Sequence, residues 1–314
     1  MGQGITDIKK HTLLIFLMIG ILMSFSVQVK SENSRQIRKP NRADQFNPAD
    51  PDELTTTIEK LTDRVGTPDS PLPGKSELKA LIMPHADYKY SGLTAAHASL
   101  VLDRDKYKKI ILIGPDHNFE VVYGEVRQNR AYQTPLGDVP IHQDAYNLVS
   151  RSSLFRKART SQDQQEHSLE TVLPFLQHYL GSFQVVPIIL GPGDMSQMSG
   201  VLTDFIDPET LIVVSANLSR YLNYKSAVKK DKNTIDHILG LEGDKLELGL
   251  DQACGIYPLK LLINMAHKLN WQPRLLHYSN SGDNGGDQGR AEGYAAIAFY
   301  EPGDLKKEEM HERR

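Results

Sequence analysis

Two histidines and the chain's single cysteine are the side chains whose placement could do chemistry. Apolar, β-rich runs end immediately before Pro84-His85-Ala86-Asp87-Tyr88-Lys89-Tyr90-Ser91-Gly92, Gly114-Pro115-Asp116-His117-Asn118 and Ala216-Asn217-Leu218-Ser219-Arg220. Ligands of open α/β sheets bind beyond the carboxyl ends of the strands, so these segments are expected to carry His85, His117 and Asn217 to one rim. Cys254 lies in Ala253-Cys254-Gly255-Ile256-Tyr257-Pro258, directly before a helical pattern whose N-terminal dipole favours a thiolate. Two imidazoles and a thiolate form a three-donor set with open positions for water or substrate, suited to zinc, iron or copper. Spacing does not single this set out. There is no HxxH or CxxC, and loop histidines bonded to backbone, or an inert buried thiol, would read the same way.

Two other segments invite a functional reading. Glu166-His167-Ser168-Leu169-Glu170 precedes a helical apolar run, so Ser168 reads as a cap, or Glu166 and His167 as acid/base or orienting groups on the same rim. The stretch from Ser279 to Gly289 contains Ser281 and Asp283 among its glycines. It matches neither a Walker loop nor GxGxxG, and its acidic residues disfavour phosphate, leaving a mobile turn or a loop that covers substrate.

The elements that must position these residues alternate along the chain. Strands are expected at Leu78–Met83, Lys109–Ile113, Gln184–Leu190, Leu211–Ser215, Arg274–Tyr278 and Ala295–Tyr300, several of them apolar throughout, as strands covered on both faces must be. Helical spacing marks Glu53–Val65, Leu93–Leu102, His142–Arg151, Glu170–Leu180, Lys225–Gly240 and Pro258–Leu269. Alternation of this kind predicts an α/β fold, a single domain with a mainly parallel mixed sheet flanked by helices. The domain is expected at residues 37–302, after a leader at 1–29 and a linker at 30–36 and before a charged tail at 303–314.

Composition sets the outer limits. With 36 Lys+Arg against 39 Asp+Glu in 314 residues the net charge is −3, too weak to imply a nucleic-acid partner. A lone cysteine excludes an intramolecular disulfide. Lys9 and Lys10 precede the apolar run Leu13–Val29, which has the length of a signal-peptide core and nearly that of a membrane span. This predicts an extracytoplasmic protein, secreted or periplasmic, or one attached to a membrane through residues 13–29. The basic residues after the run outnumber those before it, which keeps a cytoplasm-facing anchored domain open.

Taken together, the motifs resemble one family: the Memo-like proteins, also called component B of the AmmeMemoRadiSam system, relatives of the class III extradiol ring-cleavage dioxygenases. The resemblance rests on Arg38-Lys39-Pro40 with Phe46-Asn47-Pro48-Ala49-Asp50-Pro51, on the His85 and His117 segments, and on Tyr132-x-Thr134-Pro135-Leu136-Gly137. It continues through Glu166-His167-Ser168-Leu169-Glu170, Ala253-Cys254-Gly255, Ser279-Asn280-Ser281-Gly282-Asp283 and Gly293-Tyr294-Ala295-Ala296. What the resemblance implies is a class III extradiol dioxygenase-like α/β domain with a divalent transition metal (iron, copper or zinc) held by His85, His117 and Cys254. His167 and Glu166 would then handle protons. Asn217, Arg220, Tyr88, Asp87, Ser281 and Asp283 would meet a small-molecule or peptide ligand.

The chain departs from the family where it matters chemically. The usual Ser-Ser-Asp-Leu-Ser-His reads Ser215-Ala216-Asn217-Leu218-Ser219-Arg220, so an ionised acceptor and a titrating base are replaced by an amide and a permanent cation. Two functions follow as expectations: a metal-dependent redox or dioxygenase-like enzyme, or a non-catalytic metal-binding or peptide/ligand-binding module in which Arg220 contacts a carboxylate or phosphate. A partnership with a cytosolic radical-SAM enzyme, suggested by the system name, fits poorly with the N-terminal segment. No protein partner can be read from the sequence.

Overall fold

In a computed structural model the described residues are 37–66, 76–118, 121–159, 166–249 and 252–303. The leader, the linker and all but the first residue of the charged tail lie outside them. Ten strands are present among the described residues: β1 (Glu77–Met83), β2 (Lys109–Pro115), β3 (Gly124–Val126), β4 (Ala131–Thr134), β5 (Gly137–Pro140), β6 (Phe155–Lys157), β7 (Gln184–Leu190), β8 (Thr210–Ser215), β9 (Gln272–Asn280) and β10 (Gly293–Glu301). Eight form one sheet in the order β6-β3-β7-β2-β8-β1-β10-β9, and β4 pairs with β5 as a hairpin. The central run β7-β2-β8-β1 is parallel. β10 joins it antiparallel to both β1 and β9, and β3 runs antiparallel to β7. The sheet is therefore mixed with a parallel centre, as the alternation of elements predicted.

Burial explains why the centre was readable and the edges were not. Every residue of β2 and of β8 is buried, so their sequences are apolar runs with little alternation. Three-residue strands such as β3 and β6 are too short to show a period.

The helices are α1 (Pro51–Asp63), α2 (Tyr88–Ser99), α3 (Asp144–Arg151), α4 (Leu173–Leu180), α5 (Met195–Thr203), α6 (Tyr224–Leu239) and α7 (Ile256–Leu269). α7 packs on β2 and β8 with α5 against it, and α2 packs on β1, β9 and β10 with α1 and α4 against it. Capping sets several starts. Asp50 accepts from the backbone N–H groups of Asp52 and Glu53, with Pro51 at the first helical position. Asp87 accepts from Lys89 N at 2.8 Å and begins α2 five residues before the expected Leu93. Tyr88, Tyr90, Ser91 and Gly92 are thus helical rather than part of a strand-end loop. No described helix is long and apolar enough to cross a membrane.

Candidate metal centre

Parallel neighbouring strands end on the same edge of a sheet, and that edge gathers the site. His85 follows β1, His117 follows β2, and Ser215 is the last residue of β8, which lies between them. Cys254 arrives from the far side, just before α7, because Gly255 lets the backbone approach that strand end closely. A Cβ at Gly255 would come within 2.5 Å of the Ala216 Cβ. The donor atoms of His85, His117 and Cys254 all lie within 4.8 Å of one another. Cys254 Sγ is 3.2 Å from His85 Nε2, near the roughly 3.5 Å edge expected of a tetrahedron with metal–N and metal–S bonds of about 2.0–2.3 Å.

Hydrogen bonds aim both imidazoles. The Ser215 hydroxyl donates to the Ser168 carbonyl at 2.5 Å, so its oxygen must accept from His85 Nδ1 at 2.7 Å. That places the proton of His85 on Nδ1 and leaves the Nε2 lone pair facing the sulfur. His117 Nδ1 lies 2.9 Å from Glu166 Oε1, and the His117 backbone N–H donates to Glu166 Oε2 at 2.8 Å. Glu166 also accepts from the backbone N–H groups of His167 and Ser168. A Cβ at Gly114 would come within 2.5 Å of Ser168 Oγ, so only glycine allows this segment to lie so close to the end of β2.

The electrostatics follow from burial and from these pairings. Burial opposes a charge on His117, but its hydrogen bonds to Cys254 and Glu166 prevail and raise its pKa to about 10. Glu166 shows the converse. Burial pushes its carboxyl up, and the His117 hydrogen bond and charge with the backbone donors pull it well below the usual carboxylate range. Glu166 therefore orients His117 as a fixed anion. Burial, reinforced by the neighbouring imidazoles, holds His85 well below the ordinary histidine value. His167, stacked on His117 with ring centroids 4.7 Å apart, is lowered to about 4 by burial and then by the His117 charge.

One wall of the site is a buried ion pair. Arg38, 2% exposed, bonds Glu170 through one guanidinium nitrogen and the Glu166 carbonyl through another at 2.6 Å. Glu170 also accepts from the backbone N–H groups of Asn41 and Arg42, both at 2.7 Å. This draws the segment from Arg38 to Asn47 over the site, where the Phe46 ring meets His167 edge-on at 5.1 Å. A cavity of about 470 Å³ beside Phe46 is lined in part by Asp44, Asn47, Asp87, Tyr88 and Lys89.

The opposite wall holds the two departures from the family pattern. Asn217 Oδ1 accepts from the His85 backbone N–H at 2.9 Å, its Nδ2 donates to Glu292 Oε1 at 3.3 Å, and its own N–H points at Cys254 Sγ, 3.3 Å away. Arg220 pairs with the same Glu292 oxygen at 3.3 Å. Burial raises the Glu292 carboxyl, against the pull of Arg220 and Asn217.

The structure thus brings His85, His117, Cys254, Glu166, His167 and Asn217 together, with Arg220 linked to them through Glu292. The remaining candidates have local duties. Asp87 caps α2, and the buried Tyr88 hydroxyl donates to the Thr171 carbonyl at 2.7 Å. Ser281 exchanges hydrogen bonds with Glu292, and Asp283 accepts from the Asn280 N–H in a capping box and from Tyr224 Oη at 2.7 Å. The glycine-rich stretch is here an ordered, capped 3₁₀ turn. Ser215, Arg38, Phe46 and Glu292 were not anticipated as site residues. Ser215 had a usable signal as the last residue of an apolar strand, whereas Glu292 meets Asn217 across 75 positions and had none.

Comparison with known proteins places this architecture among relatives. The model of the family described as Memo-like protein matches residues 38–298. A MEMO1 family protein of Methanopyrus kandleri is 31% identical over 282 residues, spanning 83% of this chain and 98% of the relative. A MEMO1 family protein of Thermotoga maritima is 31% identical over 278 residues, spanning 83% and 99%. The crystal structure of an uncharacterized protein from Escherichia coli K12 aligns with a TM-score of 0.48 at 13% identity, covering 70% of this chain and 99% of that one.

Proposed function

The chain belongs to the Memo-like protein family, and from that premise we propose that it binds one divalent transition metal ion, iron, copper or zinc, through His85, His117 and Cys254. The observation that carries this reading is the pair of Nδ1 hydrogen bonds, to Ser215 and to Glu166, which turn both Nε2 atoms toward one sulfur. Imidazoles held in this way are organised as ligands rather than as surface bases.

Such an ion supplies a Lewis-acidic centre with open positions for a small ligand, and iron or copper would add redox capacity. The chain's own residues then divide the remaining work. Ser215 and Glu166 hold the two imidazoles, Asn217 positions the His85 segment and offers its N–H to the sulfur, and Phe46 with His167 shields one side from water. His167 stays neutral at physiological pH and is the imidazole left to exchange a proton with a bound ligand, in a metal-dependent redox or dioxygenase-like reaction. A second reading, a ligand-binding module without turnover, is favoured by the commitment of Asn217 to hydrogen bonds and of Arg220 to an ion pair.

Metal content of the purified full chain, compared with its His85→Ala and Cys254→Ser variants, tests the metal reading. Stoichiometric metal lost in both variants is expected. Equal metal in all three proteins, or none in any after reconstitution, would defeat it. Metal-dependent turnover restored by Asn217→Asp with Arg220→His would favour the enzyme over the binding module. The leader at 13–29 is proposed to carry the domain out of the cytoplasm or anchor it, which protease accessibility in intact cells would decide.

A further inference from the structure

Beside the candidate metal centre, two guanidinium groups lie over one exposed aromatic ring. Tyr221 is 58% exposed and adopts a left-handed backbone conformation at φ 60°, which is strained for a bulky side chain. The guanidinium carbons of Arg220 and Arg290 each lie 5.1 Å from its ring centroid, and Arg220 also donates to Tyr221 Oη at 3.0 Å.

Backbone pairing holds the group in place. Leu218 N donates to Gly293 O at 2.7 Å, Gly293 N to Ser219 O at 2.9 Å, and Ala291 N to Leu222 O at 2.7 Å. This short antiparallel ladder pairs Leu222 with Ala291 and so brings Arg290 to the segment that carries Arg220 and Tyr221. It also sets Glu292 against Asn217, which in turn bonds the His85 backbone.

The carboxylates at this corner leave Arg290 unpaired among the described residues. Glu292 engages Arg220 through Nε, and Asp287 spends its Oδ1 on the Gly289 N–H. Among the described residues the Arg290 guanidinium has no hydrogen bond or ion pair, only the Tyr221 ring. A stacked guanidinium is pre-organised, and its planar fork of N–H donors matches a carboxylate or phosphate.

We infer that Arg220, Tyr221 and Arg290 form an oxyanion subsite on the rim of the metal centre, which takes the carboxylate or phosphate group of a small organic acid. Glu292 tethers Arg220 to Asn217, which bonds the His85 backbone. The inference deepens the proposed function by naming the ligand class, and it rests on that reading for what lies beside the anion.

The test uses the metal-stripped full chain, so that anions cannot report on the metal. Inorganic phosphate and, separately, succinate are titrated calorimetrically at constant ionic strength into wild type, Arg220→Met, Arg290→Met and Arg290→Lys. Saturable binding is expected in wild type and should be weakened about tenfold or more in each Met variant, because a charge-assisted hydrogen bond is lost. Arg290→Lys, which keeps the charge without the fork, should fall between. Preference for phosphate or for succinate identifies which oxyanion the subsite takes. Equal binding in wild type and both Met variants, or no saturable binding in wild type, would overturn the inference. Arg290 is exposed, so its variants test the subsite without endangering the fold. Metal content, measured on separate samples, keeps the two readings apart. Normal metal with no anion binding removes only the subsite, and anion binding in a protein that takes up no metal removes only the metal reading.

Discussion

The two walls of the candidate metal centre are built on different principles. On the Glu166 side, Arg38, Glu170 and Glu166 are buried, and both oxygens of each carboxylate are committed to donors. On the Asn217 side, Arg220 and Glu292 are 29% and 26% exposed, and the pair opens onto an exposed tyrosine. A partly solvated ion pair contributes less because solvent screens it, whereas a fully buried charge deprived of its partner is left with its full desolvation cost. The first wall should therefore determine whether the imidazoles are aimed at all. The second is free to determine what the centre meets.

The largest test of that contrast is Arg38→Met, which strands Glu170 in the interior. A loss of about 3–5 kcal/mol of stability is expected by denaturant unfolding. A loss below about 1 kcal/mol would place the Arg38 pair in the same class as the exposed one. Glu166→Gln acts on the imidazole rather than on the fold. Removing the anion that orients a ligating histidine should weaken metal affinity about 10–100-fold, measured by competition with a chelator.

The pH dependence of metal binding follows from His117. With a pKa of about 10 in the metal-free protein, His117 carries a proton at neutral pH, and an ion must displace it to reach Nε2. Affinity should therefore rise with pH and fall in acid, by about tenfold or more per pH unit below that pKa. A flat profile between pH 6 and 8 would show that metal binding displaces no proton from His117. At the small end, Arg220→Met should cost no more than about 1 kcal/mol, and Arg290→Met should stay within about 0.5 kcal/mol. Stability losses as large as that of Arg38→Met would mean that both walls are structural.

Apolar, mostly buried runs made β1, β2, β7 and β8 readable, and three of them, β1, β2 and β8, led directly to a candidate residue at their carboxyl ends. Single-sequence patterns did not show the local contacts that are polar rather than apolar. Asp87 looked like a carboxylate for a ligand, yet its first use is to cap α2, and this also moves Tyr88 onto a helix. Ser281 and Asp283 looked like parts of a covering loop, yet they close a 3₁₀ turn. In each case the short polar side chain is taken up by the nearest orphan backbone N–H.

The sequence by itself determined the family, the α/β class and the parallel strands at the centre of the sheet, and named three candidate donors, because these rest on local composition and ordered motifs. Only the tertiary structure decided that His85 and Cys254 meet across 169 positions, that Ser215 and Glu166 assign the imidazole protons, and that Glu292 joins Asn217 to Arg220. The physical reason is that a hydrogen bond depends on distance and direction in space, and a periodic pattern along the chain carries neither.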